Sequence, residues 1–447
     1  MSILLTLPSS IEKIERGDKV LFFNPEIPSW LVTNHNGALL LSLCDGTNSV
    51  SDILSSLLET QGRDVYEQGR SFFNEAISSR IFDTPSECEL PITCEPQQLS
   101  NVQLSISSKC NLHCKYCYAT DRQEGEHASL SYEEYEKLVD DLVAYAGSPL
   151  SFTLTGGEPL LNKDVFRIAR YIRSKGCNVD ILTNGTLVSE SNIQELSESF
   201  DGVSVSIDGK DASSHDRFRG SGSYAKTERC IELLQQNDIP YRLSMTVNRL
   251  NIGDVESMAQ KYGSHMNFAP LFPAGSANNS DVDMSISGKE YFDCLKKASG
   301  VNPLSYCEST LQSSQTCRRC KCAIGGSEIS ISPTGDVYPC QLLHYPEFLI
   351  GNIHDVSISD LLSSSPVIER CSHLVVDKID GCSTCFLRYV CGGACRARAY
   401  HECKNIFTSG TFCEYEREAF IDGIFSLYSE NSLKVERRES REPCGGG

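Results

Sequence analysis

Cysteine is the residue that most constrains what this chain can fold into, because 22 of its 447 residues are cysteine. Secreted scaffolds held by disulfides are usually short and follow an export signal. Here the first residues, MSILLTLPSSIEKIERGDK, lack a basic segment and contain only a short apolar run. In a reducing compartment, clustered thiols serve as metal ligands. The sequence therefore predicts a cytoplasmic protein whose cysteines bind metal.

Charge and hydropathy argue against two classes of partner. The chain contains 40 basic and 59 acidic residues, a net charge of −19, whereas phosphate backbones are bound by clustered Lys and Arg. No stretch approaches the ~18 consecutive apolar residues that a membrane-spanning helix needs. We therefore expect neither nucleic acid nor a membrane as a partner.

Short apolar strands alternate with amphipathic helices between residues 101 and 272. Such alternation is typical of parallel strands with helices on the outside, and six units make a partial (β/α)6 barrel of the TIM type. Ser131-Tyr-Glu-Glu134 predicts a capping box at the start of the first helix. The predicted strands are Val102–Ile106, Ser151–Thr155, Val179–Thr183, Gly202–Ile207, Arg242–Val247 and Met266–Leu271.

Three cysteines directly follow the first of these strands, in the sequence Cys110-Asn-Leu-His-Cys114-Lys-Tyr-Cys117. Three closely spaced thiolates can bind three irons of a 4Fe–4S cube and leave the fourth iron without a protein ligand. An open position on the metal is what catalysis requires, whereas structural metal sites are closed. A zinc site or buried free thiols are the alternatives at this point.

Glycines and polar residues stand at the carboxyl ends of the next strands, where barrel enzymes place their sites. Strand two is followed by Thr155-Gly-Gly-Glu-Pro159, strand three by Thr183-Asn-Gly-Thr186 and strand four by Ser206-Ile-Asp-Gly209. A further polar stretch, His215-Asp-Arg-Phe-Arg-Gly220, comes shortly afterwards. Each stretch alone is also typical of an ordinary loop, but their order and position favour one common site.

The CxxxCxxC spacing with an aromatic residue before the last cysteine resembles the signature of the radical S-adenosylmethionine (SAM) superfamily. The later stretches resemble the GGEP and HDxxRG motifs of that family. The resemblance implies that Cys110, Cys114 and Cys117 hold a catalytic 4Fe–4S cluster, at which SAM is cleaved to methionine and a 5′-deoxyadenosyl radical. It also implies a set of residues that bind SAM: Tyr116, Gly156, Gly157, Glu158, Asn184, Ser206, Asp208 and Arg219.

Several of these SAM contacts have an expected chemical role. The two glycines let the backbone approach the ligand. Glu158 accepts a hydrogen bond from the SAM amine, and Ser206 and Asp208 reach the ribose or the carboxylate. Arg219 is the bidentate partner of the methionine carboxylate.

A second series of cysteines lies between residues 317 and 413 and resembles the SPASM domain, which holds two auxiliary 4Fe–4S clusters in radical SAM enzymes that modify peptides. For the first auxiliary cluster the resemblance implies Cys322, Cys340, Cys395 and Cys317, with Cys320 as the alternative to Cys317. For the second it implies Cys382, Cys385, Cys391 and Cys413. The chain then carries three 4Fe–4S clusters, and zinc in place of one of them is the alternative.

The N-terminal residues predict a small α/β unit that is winged-helix-like, with strands at Lys19–Pro25 and Trp30–Asn34 and a helix over Gly37–Gly46. The unit resembles the PqqD-like peptide chaperone, in which the leader of a precursor peptide adds a strand to a sheet edge. The predicted domains are 1–97 (recognition unit and Pro-rich linker), 98–300 (radical SAM core), 301–430 (SPASM domain) and 431–447 (disordered tail).

Taken together, these resemblances predict an enzyme that installs an intrapeptide thioether or C–C crosslink in a leader-bearing ribosomal peptide. A flavodoxin- or ferredoxin-type protein is the expected electron donor. A peptide epimerase is one rival. A sulfatase-type formylglycine maturase is another, although Gln341 stands where that family has Asp. From a different class, the rival is a non-catalytic iron–sulfur scaffold that binds peptides.

Overall fold

The computed structural model describes residues 3–84, 98–121, 128–278, 281–298, 310–311 and 318–428. Its N-terminal unit contains a three-stranded antiparallel sheet in the order β2-β3-β4, a β1–β5 ribbon and three helices. The strands are β1 Leu4–Thr6, β2 Glu12–Arg16, β3 Lys19–Asn24, β4 Ser29–Asn34 and β5 Asp45–Ser49. The helices are α1 His35–Ser42, α2 Val50–Gln61 and α3 Arg63–Ser78.

Six parallel strands in sequential order form the central region, and this confirms the predicted partial barrel. Apolar side chains such as Leu104, Leu154 and Ile181 are fully buried between the sheet and the helices. The strands are β6 Asn101–Ser107, β7 Ser151–Gly156, β8 Asn178–Thr183, β9 Gly202–Ser206, β10 Tyr241–Val247 and β11 Met266–Pro270. The helices are α4 Tyr132–Ala146, α5 Val165–Ser174, α6 Ile193–Ser199, α7 Ala212–Arg219, α8 Ser223–Gln236, α9 Val255–Tyr262 and α10 Gly288–Lys297.

The C-terminal region extends the same sheet and then continues as short helices. Its first strand pairs in parallel with β6, with Ile331 opposite Leu104, so one nine-stranded sheet crosses the predicted boundary at residue 300. The strands are β12 Glu328–Ile331, β13 Asp336–Tyr338 and β14 Gly351–Asn352. The helices are α11 Ile358–Ser364, α12 Pro366–Ser372, α13 Arg388–Cys391, α14 Arg396–Cys403 and α15 Cys413–Leu427.

Two sequence predictions in the N-terminal unit need correction or stay open. The helix expected to reach Gly46 ends at Ser42, and residues 45–49 form a strand that pairs with β1. Most of the predicted linker and the whole predicted tail lie outside the described residues. No described helix combines the length and the apolar character that crossing a membrane requires.

Candidate active site

The loop that carries the first three cysteines lies at the carboxyl end of the parallel sheet, directly after β6. The N–H of Cys117 donates to the carbonyl of Cys114 at 3.2 Å and closes a turn. The N–H of Lys115 donates to the carbonyl of Phe218 at 3.0 Å. The loop is thus fastened both to itself and to the end of α7.

The three thiols of this loop lie within electrostatic reach of one another. Burial raises the pKa of the Cys114 thiol to about 11, and the Arg219 guanidinium opposes that shift. Burial also raises the pKa of Cys110, and the charges of Glu158 and Cys117 add to it. Bound iron supplies the positive charge that a buried thiolate needs. The donor set therefore fits an iron–sulfur cluster.

The glycine pair after β7 packs directly against the cysteine loop. A Cβ at Gly156 would lie 2.3 Å from the Ser107 carbonyl oxygen, and one at Gly157 would lie 2.3 Å from that of Lys109. The N–H of Gly157 donates to Ser107 at 2.7 Å, and the N–H of Glu158 donates to Lys109 at 2.8 Å. In this structure the glycines bring two loops together, whereas the sequence suggested close approach to a ligand.

Glu158 connects the loop after β7 with the loop after β8. Its carboxylate is fully buried and accepts from the Thr183 hydroxyl at 2.8 Å, the Asn184 N–H at 2.9 Å and the Leu160 N–H at 3.2 Å. Burial raises its pKa and these donors oppose the shift. Asn184 in turn donates to the Asn111 side chain at 2.9 Å, within the cysteine loop.

Asp208 forms the centre of a second buried network. One of its carboxylate oxygens accepts hydrogen bonds from the Tyr116 hydroxyl and the Arg219 Nε. The other accepts from the backbone N–H of Thr246 at 2.7 Å. The carboxylate is fully buried, so it holds Arg219 and Tyr116 in place. Ser206, at the end of β9, is half-buried.

Two further residues contact the backbone of Asp208: His215, from the HDxxRG-like stretch, and Asn251, which the sequence analysis did not identify. The Asn251 side chain donates to the Asp208 carbonyl at 3.0 Å, and the His215 Nδ1 accepts from its N–H at 3.2 Å. Burial lowers the pKa of His215 to about 4, and the charge of Arg219 adds to this shift. Thr246, which also contacts Asp208, lies near the end of β10. Because the other site motifs also follow strand ends, this position was the sequence signal for a further site contact.

The described C-terminal cysteines include two groups of neighbouring thiols. Burial raises the pKa of Cys340, and the charges of Glu328, Cys395 and Cys322 raise it further. These three cysteines therefore surround one region at the end of the sheet. Cys320 is disulfide-bonded in this structure, and Cys317 lies outside the described residues.

In the second set, Cys382 and Cys385 precede α13, Cys391 ends that helix and Cys413 begins α15. Burial raises the pKa of Cys382 to about 11, and the charges of Cys413 and Cys385 contribute to the shift. Burial likewise raises the pKa of Cys391, with contributions from Glu416, Cys413 and Cys382. Each of these four thiols is thus within electrostatic reach of Cys382 or Cys413.

Across the described ranges, no three His, Cys, Asp or Glu side chains are grouped so that they could hold one metal ion.

Two family profiles match the chain. Residues 104–261 match the radical SAM superfamily. Residues 322–386 match the SPASM iron–sulfur cluster-binding domain. The first match contains the cysteine loop, Glu158, Asp208 and Arg219, and the second contains Cys322, Cys340, Cys382 and Cys385.

Curated relatives cover most of the chain at moderate identity. An AdoMet-dependent heme synthase of Methanosarcina barkeri is 29% identical over 69% of this chain and 95% of its own length. The subtilosin biosynthesis protein AlbA of Bacillus subtilis is 28% identical over 72% of each chain. A PqqA peptide cyclase of Granulibacter bethesdensis is 23% identical over 66% of this chain and 82% of its own.

Two solved structures share the fold. Native anSMEcpe with bound AdoMet superposes with a TM-score of 0.60 at 21% identity, and the match covers 73% of this chain and 97% of that one. Streptococcus suis SuiB bound to S-adenosylmethionine has a TM-score of 0.56 at 13% identity, and this match covers 92% of the present chain and 100% of SuiB. The SuiB fold therefore accounts for more of this molecule.

Proposed function

Because the chain carries a radical SAM domain followed by a SPASM domain, we propose that it cleaves SAM reductively and uses the product radical to modify a ribosomally made peptide. The observation that carries the proposal is the joining of three thiols, Glu158, Asp208 and Arg219 at the carboxyl edge of the parallel sheet. Bound there, a 4Fe–4S cluster and SAM supply the radical chemistry.

The residues of the site bind and orient SAM. Arg219 is 9% exposed, and Asp208 holds its Nε, so its remaining N–H groups provide a fixed donor pair for the methionine carboxylate. Glu158 keeps the loops after β7 and β8 together and provides an acceptor for the amine. Asn184 and Ser206 complete the polar lining, and the network around Tyr116 limits the access of water.

The two further cysteine sets hold auxiliary 4Fe–4S clusters in this proposal. Cys317, Cys322, Cys340 and Cys395 are the ligands of the first, and Cys382, Cys385, Cys391 and Cys413 are those of the second. A flavodoxin- or ferredoxin-type protein supplies electrons. The bond made in the peptide is a thioether or a C–C crosslink.

The N-terminal unit binds the leader of the precursor peptide in this proposal. It combines a small antiparallel sheet, whose outer strands β2 and β4 each have one partner among the described strands, with three helices. A strand edge of this kind suits the addition of an extended peptide. The solved structures with this fold include SuiB bound to its precursor peptide SuiA, which supports a peptide substrate.

Heme synthesis is the second candidate, because the heme synthase relative aligns over nearly its whole length. The two functions differ in substrate class, so one assay separates them. The anaerobically reconstituted, reduced enzyme is incubated with SAM and either a leader-bearing peptide containing Cys or a heme precursor. We expect 5′-deoxyadenosine in both reactions and a mass loss of about two hydrogens only in the peptide. Conversion of the heme precursor with an unchanged peptide would contradict the proposal.

A variant with Ala at Cys110, Cys114 and Cys117 is the control for the chemistry. It should form no 5′-deoxyadenosine and should retain about eight irons, compared with about twelve in the unmodified protein. Retention of SAM cleavage in this variant would show that the cluster assignment is wrong.

A further inference from the structure

The sheet of the N-terminal unit buries both of its faces. On one face, Val20, Phe22 and Leu31 pack with Leu41 and Ala76 of the unit's own helices. On the other face, side chains from β3 and β4 pack with the C-terminal region, forming a cluster that contains Leu21, Phe23, Val32, Leu387, Val390, Phe420 and Ile424. Because side chains alternate along a strand, the side chains of neighbouring β3 residues pack against different parts of the molecule.

The second face covers the loop that carries two ligands of the proposed second auxiliary cluster. The Phe23 ring meets the Phe386 ring edge to face, with 5.5 Å between centroids, and Phe386 directly follows Cys385. Cys385 and Cys391 are both packed against the same apolar cluster. The N-terminal sheet is therefore in contact with the polypeptide that surrounds these sulfurs.

Charged groups fix the same interface at two places. Arg388, one helical turn before Cys391, pairs with Glu26, and the Arg318 guanidinium donates to the Glu26 carbonyl at 3.4 Å. At the other end, Arg16 pairs with Asp422 and with Glu418 on α15. Arg388 is mostly buried, so its ion pair is more costly to break than one on the surface.

We propose that the N-terminal unit is a fixed wall of the second auxiliary cluster's chamber and keeps water away from that cluster. This inference rests on the cluster assignment made under the proposed function. An apolar cover lowers the local dielectric, and the exposure of an iron–sulfur cluster to solvent is one of the factors that set its reduction potential. Water stabilises the more negative reduced cluster, so uncovering it raises the potential.

Two neighbouring phenylalanines provide a matched test in the full-length protein. Phe23→Leu shortens a side chain that faces Phe386, whereas Phe22→Leu makes the same change on the opposite face of the same strand. We expect Phe23→Leu to release about four irons per chain to a ferrous chelator about fivefold to tenfold faster than the unmodified protein does. Phe22→Leu should release them at the unmodified rate.

The potential gives a second readout, measured by redox titration with electron paramagnetic resonance. The signal that disappears in Cys391→Ala should shift to a higher potential in Phe23→Leu and stay unchanged in Phe22→Leu. Glu26→Gln should act in the same direction as Phe23→Leu, with Glu15→Gln, which removes an exposed ion pair to Lys13, as its control.

Three outcomes would overturn the inference. Equal acceleration in Phe22→Leu and Phe23→Leu would mean general loosening, and no acceleration in Phe23→Leu would mean that the wall does not protect the cluster. If Cys391→Ala keeps all the iron of the unmodified protein, the cluster assignment itself is wrong, and this result is obtained before any Phe variant is made.

Discussion

Asp208 connects three elements of the proposed SAM site through its two carboxylate oxygens. It accepts from Tyr116 in the cysteine loop, from Arg219 at the end of α7 and from the N–H of Thr246 in β10. A buried carboxylate that accepts from three donors fixes the direction of each donor. Asp208 therefore positions Arg219, whose guanidinium is the proposed contact to SAM.

This arrangement predicts that Asp208→Asn weakens SAM binding through the loss of its hold on Arg219. The amide leaves the Arg219 guanidinium without its counter-charge and turns an NH2 group toward another donor. We expect a loss of about 1.5–3 kcal/mol in SAM binding free energy, measured by equilibrium dialysis. Asp216→Asn is the control, since Asp216 accepts from Gly222 and Tyr224 N–H groups. Equal losses in both variants would contradict the positioning role.

His215 is predicted to remain neutral well below the usual pH range of a histidine. Burial lowers its pKa to about 4, compared with about 6.5 in the unfolded chain. Between these values the unfolded chain binds a proton that the folded chain does not. The stability from this group is therefore complete above pH ~6.5 and is lost as the pH falls, up to about 3 kcal/mol.

Hydrogen exchange at the imidazole C2 position, followed by mass spectrometry, measures this pKa for the individual residue. Because the charge of Arg219 contributes to the depression, Arg219→Gln should raise the pKa of His215 while burial keeps it below the unfolded value. A midpoint near 6.5 in the unmodified protein would show that the ring is not buried as described.

At the scale of elements, the first auxiliary set lies where the end of the sheet meets two short helices. Cys340 follows β13, and Cys395 precedes α14. The Cys371 thiol at the end of α12 is also buried, and Cys322 lies within electrostatic reach of it. The structure thus offers one additional thiol that the cysteine spacing did not assign to a cluster.

Iron content distinguishes the ligand from its neighbour. We expect Cys340→Ala to lose up to about four irons per chain, because one iron of this auxiliary cluster loses its protein ligand. Cys371→Ala should keep the full content, because this thiol packs against Gly325 as a small apolar side chain. Loss of iron in Cys371→Ala with retention in Cys340→Ala would reverse the two assignments.

At the scale of the whole molecule, the N-terminal unit is an integral layer of the structure. Its sheet lies between its own helices and α15. Ion pairs of Arg16 and Arg388 cross the same contact. From the sequence we expected a recognition unit joined by a Pro-rich linker. In the structure this unit also contributes to the surroundings of Cys385 and Cys391.

Removal of residues 1–84 is therefore predicted to damage more than peptide capture. The truncation uncovers Leu387, Phe420 and Ile424 on the C-terminal side, and an exposed apolar patch of this kind promotes aggregation. We expect the truncated chain to elute as aggregates in size-exclusion chromatography and to carry about four irons fewer. A monodisperse truncated chain with full iron content would contradict the role of the sheet as a structural layer.

The sequence alone determined the features that depend on short spacings. The capping box predicted at Ser131 and Glu134 is present, and the six barrel strands lie within a few residues of their expected positions. The sequence also predicted that the cysteine loop and the polar stretches at strand ends lie together. Parallel strands bring their carboxyl ends to one edge of the sheet, whatever the details of packing. Hydrophobic periodicity and motif spacing depend only on residues that are close in the sequence, so they can be read without the tertiary structure.

Only the tertiary structure decided which groups those motifs contact. Asp208 turns to Tyr116 and Arg219, because burial makes an unpaired carboxylate too costly. Likewise β12 joins β6, and Phe23 packs on Phe386, across more than 200 and 300 residues of chain. An alternating apolar pattern indicates that one face of a strand is buried, but it does not indicate which part of the chain packs against that face. That choice depends on which apolar surfaces meet when the whole chain folds.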